Sequence, residues 1–243
     1  MSDAALTSRA APRALFLHGA GAWGGQWAIW RRVLEAEGWQ VDAPDLQPAD
    51  DGIAATRLDD YVAQAVGMIE AAPVDVLIGA SLGGLIAVAA TARIAPETRP
   101  QALVLVNPLP PSPWAAELSP PDALTDVVPW RLQGRFASTR RAMSGMSFAD
   151  QQLAFRHWRD ESAAVLREAH AGIVLRGPRI DTLIIASDAD EDIPPSVSAA
   201  YANGIGASLL RVPGDHLAPV MGVSAAASAQ AAARWLAGRL SSR

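Results

Sequence analysis

Short unbroken apolar runs alternate with stretches in which apolar residues recur every three or four positions, and this alternation persists along most of the 243 residues. Residues 13–18 (RALFLH) read as a buried strand. Residues 26–37 follow as a helix, with Trp27, Trp30 and Leu34 on one face and Gly38 as its stop. The pattern then predicts strands over 40–45, 74–80, 101–107, 181–187 and 207–212. Helices are predicted over 58–71, 82–94, 196–202 and 224–240. Strands that are apolar on both faces and separated by helices imply a six-stranded, mainly parallel sheet of α/β class, with helices on both sides.

Residues 108–178 break the rhythm. They open on the proline-rich stretch NPLPPSPWAAELSPPD and continue with helical patterns, the clearest beginning at SFADQQLAFRHW, where Ser147 and Asp150 fit a capping box. An insertion of this size at the carboxyl end of a strand is expected to form a helical lid over a site; a helical layer with packing duties only is the alternative. The expected organisation is a disordered segment at 1–12, a core made of 13–107 and 179–243, and the inserted lid at 108–178.

Composition narrows the function classes. Half the chain is apolar, enough for one sizeable core. A net charge of −5 offers no broad attraction to nucleic acid or to an anionic membrane. All 20 basic residues are arginine, which excludes a Schiff-base or P-loop lysine. There is no cysteine, so disulfides and thiol nucleophiles are excluded too. Residues 1–12 lack the apolar stretch of a signal peptide, and no run reaches the ~18 apolar residues of a membrane span. The expectation is a cytoplasmic protein, monomer or homodimer, that acts on a small molecule without cofactor, metal, nucleic-acid or membrane partner.

The stretch LIGASLGG at 77–84 carries the candidate chemistry. A G-x-S-x-G pattern arises by accident about 0.08 times in a chain of this length, so alone it is a modest signal. Here it lies between a strand and a helix, where a sharp turn would lift the Ser81 hydroxyl above the sheet edge. A nucleophilic serine needs a base. Of the four histidines, His157 and His170 fall in the insertion and His18 ends the first strand in a position suited to shaping a loop. His216, in RVPGDHLAPV after the last strand, has the best placement. The base needs an orienting acid, and ASDADEDIPP after the fifth strand offers Asp188, Asp190, Glu191 and Asp192. Such a cluster also suits a hard cation, but its strand-end position and two prolines favour a triad acid. The glycine-rich FLHGAGAWGGQW at 16–27 leaves backbone N–H groups free, so the N–H groups of Ala20 and Leu82 are the expected oxyanion donors. A dinucleotide site with Asp42 or Asp45 as ribose acid fits the glycine spacing, yet it explains neither Ser81 nor His216.

Together these stretches resemble an α/β-hydrolase of the compact, lid-bearing, serine-esterase kind, from about residue 13 to the C-terminus. His18-Gly19 is similar to that family's oxyanion motif, residues 79–83 to its nucleophile elbow and Gly214-Asp215-His216 to its base loop. Residues 187–194 match its acid loop, in which the acid stands four residues before the proline; this selects Asp190. The resemblance implies a Ser81–His216–Asp190 triad that cleaves a small, largely apolar ester, thioester or lactone through an acyl-enzyme. The same triad in relatives also cleaves carbon–carbon bonds or runs lyase chemistry, and a low-turnover binding protein of the same fold is a further alternative. Ala80 stands where many relatives carry histidine or tryptophan, Ser187 where glycine is usual, and the fuller family's first two strands are missing. His18, Trp23, Trp114, Trp130 and Trp158 are the expected substrate-facing residues. The arginines Arg131, Arg135, Arg140 and Arg141 are either solvated or poised to hold a carboxylate or a coenzyme A phosphate.

Overall fold

The computed structural model describes residues 11–119, 125–175 and 180–240. Of the segment expected to be disordered, 1–12, residues 1–10 lie outside them, whereas Pro12 is fixed, its carbonyl accepting the Gln40 N–H at 2.8 Å. In chain order the strands are β1 (Arg13–Leu17), β2 (Gln40–Asp42), β3 (Val76–Ala80), β4 (Ala102–Val106), β5 (Val127–Val128), β6 (Glu161–Ser162), β7 (Asp181–Ser187) and β8 (Ser208–Val212). The helices are α1 (Ala28–Ala36), α2 (Leu58–Ala71), α3 (Leu82–Arg93), α4 (Trp130–Gln133), α5 (Phe136–Ala142), α6 (Phe148–His157), α7 (Ala163–Ala171), α8 (Pro195–Ile205), α9 (Ala218–Met221) and α10 (Ala225–Leu240). Six strands form one parallel sheet in the order β2-β1-β3-β4-β7-β8.

The strand sequences are apolar throughout because each face meets its own helical layer. Leu15 and Leu17, Leu77, Leu103 and Leu105, and Ile184 join α2, α3, α7 and α8 in one core. Their neighbours Ala14 and Phe16, Val76 and Ile78, Val104, and Leu183 and Ile185 join α1, α9 and α10 in the other. In this second core the rings of Phe16, Trp27 and Trp30 meet at 5.1–6.4 Å. The Trp30 indole also donates to the buried carbonyl of Pro219 at 2.7 Å, fastening α1 to α9.

Most element boundaries fall within two residues of the sequence expectation. The second strand is shorter: it ends at Asp42, because the chain then turns so that Asp45 accepts the Gly24 N–H at 2.7 Å. The start of the first predicted helix is a separate tight turn, Gly24–Trp27.

The insertion between β4 and β7 departs further from expectation. It contains a two-stranded antiparallel pair, β5 with β6, whose two-residue strands are too short to show alternation. Its last helix, α7, packs on α2 and places Val165 and Ala169 in the main core, so this end has the packing duty. Ser147 Oγ accepts the Asp150 N–H at 3.2 Å and donates to that residue's carboxylate at 2.6 Å, which is half of the expected capping box. The boundary at 178 lies outside the described residues. No helix among the described residues is long and apolar enough to cross a membrane.

Replacing Trp30 with phenylalanine strands the Pro219 carbonyl in the core. It is expected to cost about 2 kcal/mol, seen as a fall of roughly 4–8 °C in the thermal unfolding midpoint; an unchanged midpoint would mean that the indole contact contributes nothing.

Candidate active site

β3 runs into α3 through one residue, Ser81, whose φ of 52° and ψ of −120° are rare for a residue with a side chain. Such a conformation costs on the order of 1–3 kcal/mol and persists only where its surroundings enforce it. Here Ser81 N–H donates to the Val106 carbonyl at 3.0 Å, and its own carbonyl accepts from Gly84 at 2.9 Å and Leu109 at 3.0 Å. A Cβ at Gly79 would collide with the backbone of Gly83, and one at Gly83 with the carbonyls of Leu17 and His18. The glycines of the motif are therefore set by close backbone approach.

The candidate acid and base, Asp190 and His216, come from the loops after the adjacent strands β7 and β8. Backbone bonds from Asp188 N–H to Val212 O (2.8 Å) and from Ala189 N–H to Gly214 O (3.0 Å) lock the two loops together. Asp190 Oδ2 lies 2.7 Å from His216 Nδ1, while Oδ1 accepts the N–H groups of Asp192 and Ile193, each at 2.9 Å. Asp188 is instead spent on a surface ion pair with Arg211. Burial alone would lower the His216 pKa; the hydrogen bond and charge of Asp190, with the charges of Asp192 and Asp215, outweigh it and raise the pKa above the ordinary histidine value. With Nδ1 held by the acid, Nε2 is the nitrogen left for the serine. Ser81 and His216 line one cavity. Among the described residues no hydrogen bond joins the two side chains. Asp190, Asp192 and His216 also stand close enough to hold a cation, within 4.8 Å, but both Asp190 oxygens are already engaged by N–H donors or the imidazole.

Sequence reasoning missed Asn107. It stands at the end of β4 with a φ of 42°, accepts the Ser187 N–H at 2.8 Å, and donates to Ser187 Oγ at 2.9 Å and to the His216 carbonyl at 2.8 Å. One buried amide thus ties the elbow's neighbouring strand to the acid and base loops. Its signal was an asparagine, tolerant of positive φ, at a strand end before proline. The serine at 187, unusual against the family pattern, supplies its hydroxyl to this bond.

The two candidate oxyanion donors, the N–H of Ala20 and that of Leu82 at the start of α3, are both without a hydrogen-bond acceptor among the described residues. The Ala20 loop is braced from both sides. His18 is buried, its Nδ1 donating to the Gly19 carbonyl (2.8 Å) and its Nε2 accepting the Leu46 N–H (2.9 Å). Burial lowers its pKa to about 4, which keeps this neutral tautomer. From the insertion, Glu161 accepts the Gly21 N–H at 3.0 Å and the Tyr61 hydroxyl at 3.0 Å, and Arg159 N–H donates to the Gly21 carbonyl at 2.7 Å. Of the two acids of the dinucleotide reading, Asp45 accepts the Gly24 N–H and Asp42 pairs with Arg13 at 2.9 Å.

The cavity measures about 470 Å³, within the usual range for small-molecule sites. Trp130 and Trp158 line it as expected, with Ala20, Ala80, Val106 and Val220. The structure places the other three expected residues elsewhere. His18 is committed to the backbone. Trp23 stacks on His157 at 5.0 Å and meets Trp158 edge-on, binding the loop after β1 to α6. Trp114 packs on Tyr201 at 4.9 Å. Of the four arginines only Arg135 borders the cavity; Arg131 lines a neighbouring cleft.

The family profile described as "Alpha/beta hydrolase family" matches residues 14–233. No curated protein matches the chain in sequence. Among solved structures, an extracellular alpha/beta-hydrolase from a Paenibacillus species is 19% identical with a TM-score of 0.71, over 90% of this chain and 96% of that one. Polyneuridine aldehyde esterase is 18% identical with a TM-score of 0.71, over 92% and 99%. An Arabidopsis methylesterase is 17% identical with a TM-score of 0.70, over 92% and 99%. At these identities the likeness is one of fold.

An Asn107→Ala variant loses three hydrogen bonds at once, two of them buried and the third partly so. It is expected to cost about 2–3 kcal/mol, read as a drop of roughly 4–12 °C in thermal midpoint; a change under a degree would leave the bracing role without support.

Proposed function

Because the chain belongs to the alpha/beta hydrolase family, we propose that it is a serine hydrolase cleaving small, largely apolar carboxylic esters or thioesters through an acyl-enzyme. The observation that carries the reading is the 2.7 Å Asp190–His216 contact beside a strained Ser81 on the wall of the same cavity. Ser81 Oγ attacks the carbonyl carbon while His216 Nε2 takes its proton. The negative oxygen that results is received by the N–H groups of Ala20 and Leu82. His216, as imidazolium, then protonates the departing alcohol or thiol, and Asp190 stabilises the charge without itself taking the proton. Water, deprotonated by His216 in turn, releases the acid and restores Ser81.

The mostly apolar lining around Trp130, Trp158, Val106 and Val220 supports a compact hydrocarbon or aryl substrate rather than a charged one. The insertion supplies the two tryptophans and clamps the oxyanion loop through Glu161, which supports its role as a cover over the reaction. Esterases and a thioesterase domain among the similar folds are consistent with either leaving group.

A fluorophosphonate probe is expected to label the protein once per chain, and Ser81→Ala to abolish the label; persistent labelling would remove Ser81 as nucleophile. Asp190→Asn is expected to lower kcat by about 10⁴ with an unchanged fold by circular dichroism, whereas near-native turnover would move the acid to Asp192. Since the base works only when neutral and its pKa is raised, kcat/KM should climb with pH through a midpoint above 6.5. In Asp190→Asn the residual activity should show that midpoint displaced downward. A midpoint below 6.5 in the unaltered protein would contradict the coupling.

A further inference from the structure

Gln26 is the buried polar side chain on the cavity wall that the chemistry above leaves unused. It sits in the turn Gly24–Trp27 just after the oxyanion loop and is 3% exposed. It borders the cavity beside Ala22, Val106 and Val220, and its Nε2 is buried without a hydrogen-bond partner among the described residues. Its neighbour Trp27 turns away, into the core with Phe16 and Trp30. Thr139, the other buried polar side chain on that wall, is already occupied, its Oγ1 accepting the Trp158 indole N–H at 2.9 Å. An amide cannot shed its polarity by titrating, as a carboxylate can. Whatever occupies the cavity must satisfy it, or it stays unpaired. Nε2 lies within the wall; half a turn about the last side-chain torsion exchanges it with Oε1 in the same volume, which brings the N–H pair to the cavity and leaves Oε1 in the wall, without backbone movement.

We propose that Gln26 determines specificity, donating a hydrogen bond from its amide to an ether, keto or hydroxyl oxygen on the substrate. Preferred esters then carry an oxygen function in addition to the scissile carbonyl, within an otherwise apolar body. This inference rests on the serine-hydrolase reading for the identity of the ligand as substrate, but the contact itself does not require turnover. A pure hydrocarbon acyl chain at that wall leaves the N–H pair unmatched, and sites built around a polar contact discriminate strongly against analogues that lack it.

Methoxyacetyl and butanoyl groups have the same length and differ by one oxygen in place of a methylene, which makes them the probes. Methyl methoxyacetate and methyl butanoate are titrated by NMR into Ser81→Ala and into the doubles Ser81→Ala/Gln26→Leu and Ser81→Ala/Gln26→Met, the second guarding against a misfolded leucine variant. The expected result is a roughly tenfold preference for the oxygenated ligand when Gln26 is present, lost in both doubles. In the Ser81 protein, the ratio of kcat/KM for the 4-nitrophenyl esters of the same two acids should fall by a similar factor on either Gln26 substitution. An unchanged ratio of dissociation constants overturns the proposal, as does binding of neither ligand up to its solubility limit. Absence of turnover with the binding preference intact would instead overturn the hydrolase reading and leave the Gln26 contact standing.

Discussion

The carbonyls of Leu17 and His18 occupy the space that a side chain at position 83 would fill, and the rest of the site depends on that crossing. It lets the first turn of α3 lie against the end of β1, so the loop after β1 and the turn after β3 share one corner of the sheet. Gly79 allows the same closeness on the other side of the turn. With the helix pressed in this far, Ser81 has no relaxed backbone path from strand to helix and takes a φ of 52°. The strain is offset locally by the bonds to Val106, Gly84 and Leu109. The same compression leaves Leu82 N–H at the start of a helix, where no intrahelical acceptor exists for it.

Electrostatics complete what packing begins. Asp190 is almost wholly buried, and an isolated carboxylate there would be expensive; two backbone N–H groups and the imidazole make its charge tenable. The acid and base loops are bonded directly to each other, and Asn107 ties both to the end of β4. The position of His216 is therefore set by three neighbouring strand ends rather than by its own loop. Across the cavity, Glu161 and Arg159 hold Gly21 from the insertion side, so the loop after β1 is anchored by residues about 140 positions away in sequence.

Much of this architecture was legible in the sequence. The helix over 58–71 and the strand over 181–187 coincide with the observed elements, because long amphipathic periods and unbroken apolar runs have one good burial each. Ser81, Asp190 and His216 could be singled out as candidates because each lies at a strand end, and because the chain offers only four histidines. What escaped has a common physical character. Trp23 and Trp114 were expected at the cavity, but residue type says nothing about which way a ring turns, and both found aromatic partners instead. The β5–β6 pair is too short to carry a pattern. Asn107 and Gln26 matter through partners, or the lack of one, that only the folded chain brings near. The placement of α7 in the main core likewise depends on α2, far upstream, and no local signal announces it.

The proposed chemistry requires one nucleophile, one base and two backbone donors to converge on a single carbonyl. The crystal structure of the protein after reaction with a small alkyl fluorophosphonate measures that convergence directly. The expected adduct has phosphorus bonded to Ser81 Oγ, the phosphoryl oxygen about 3 Å from the nitrogens of both Ala20 and Leu82, and His216 Nε2 turned toward Ser81 Oγ with Asp190 still on Nδ1. An adduct on another residue, or a phosphoryl oxygen directed away from both donors, would contradict that chemistry.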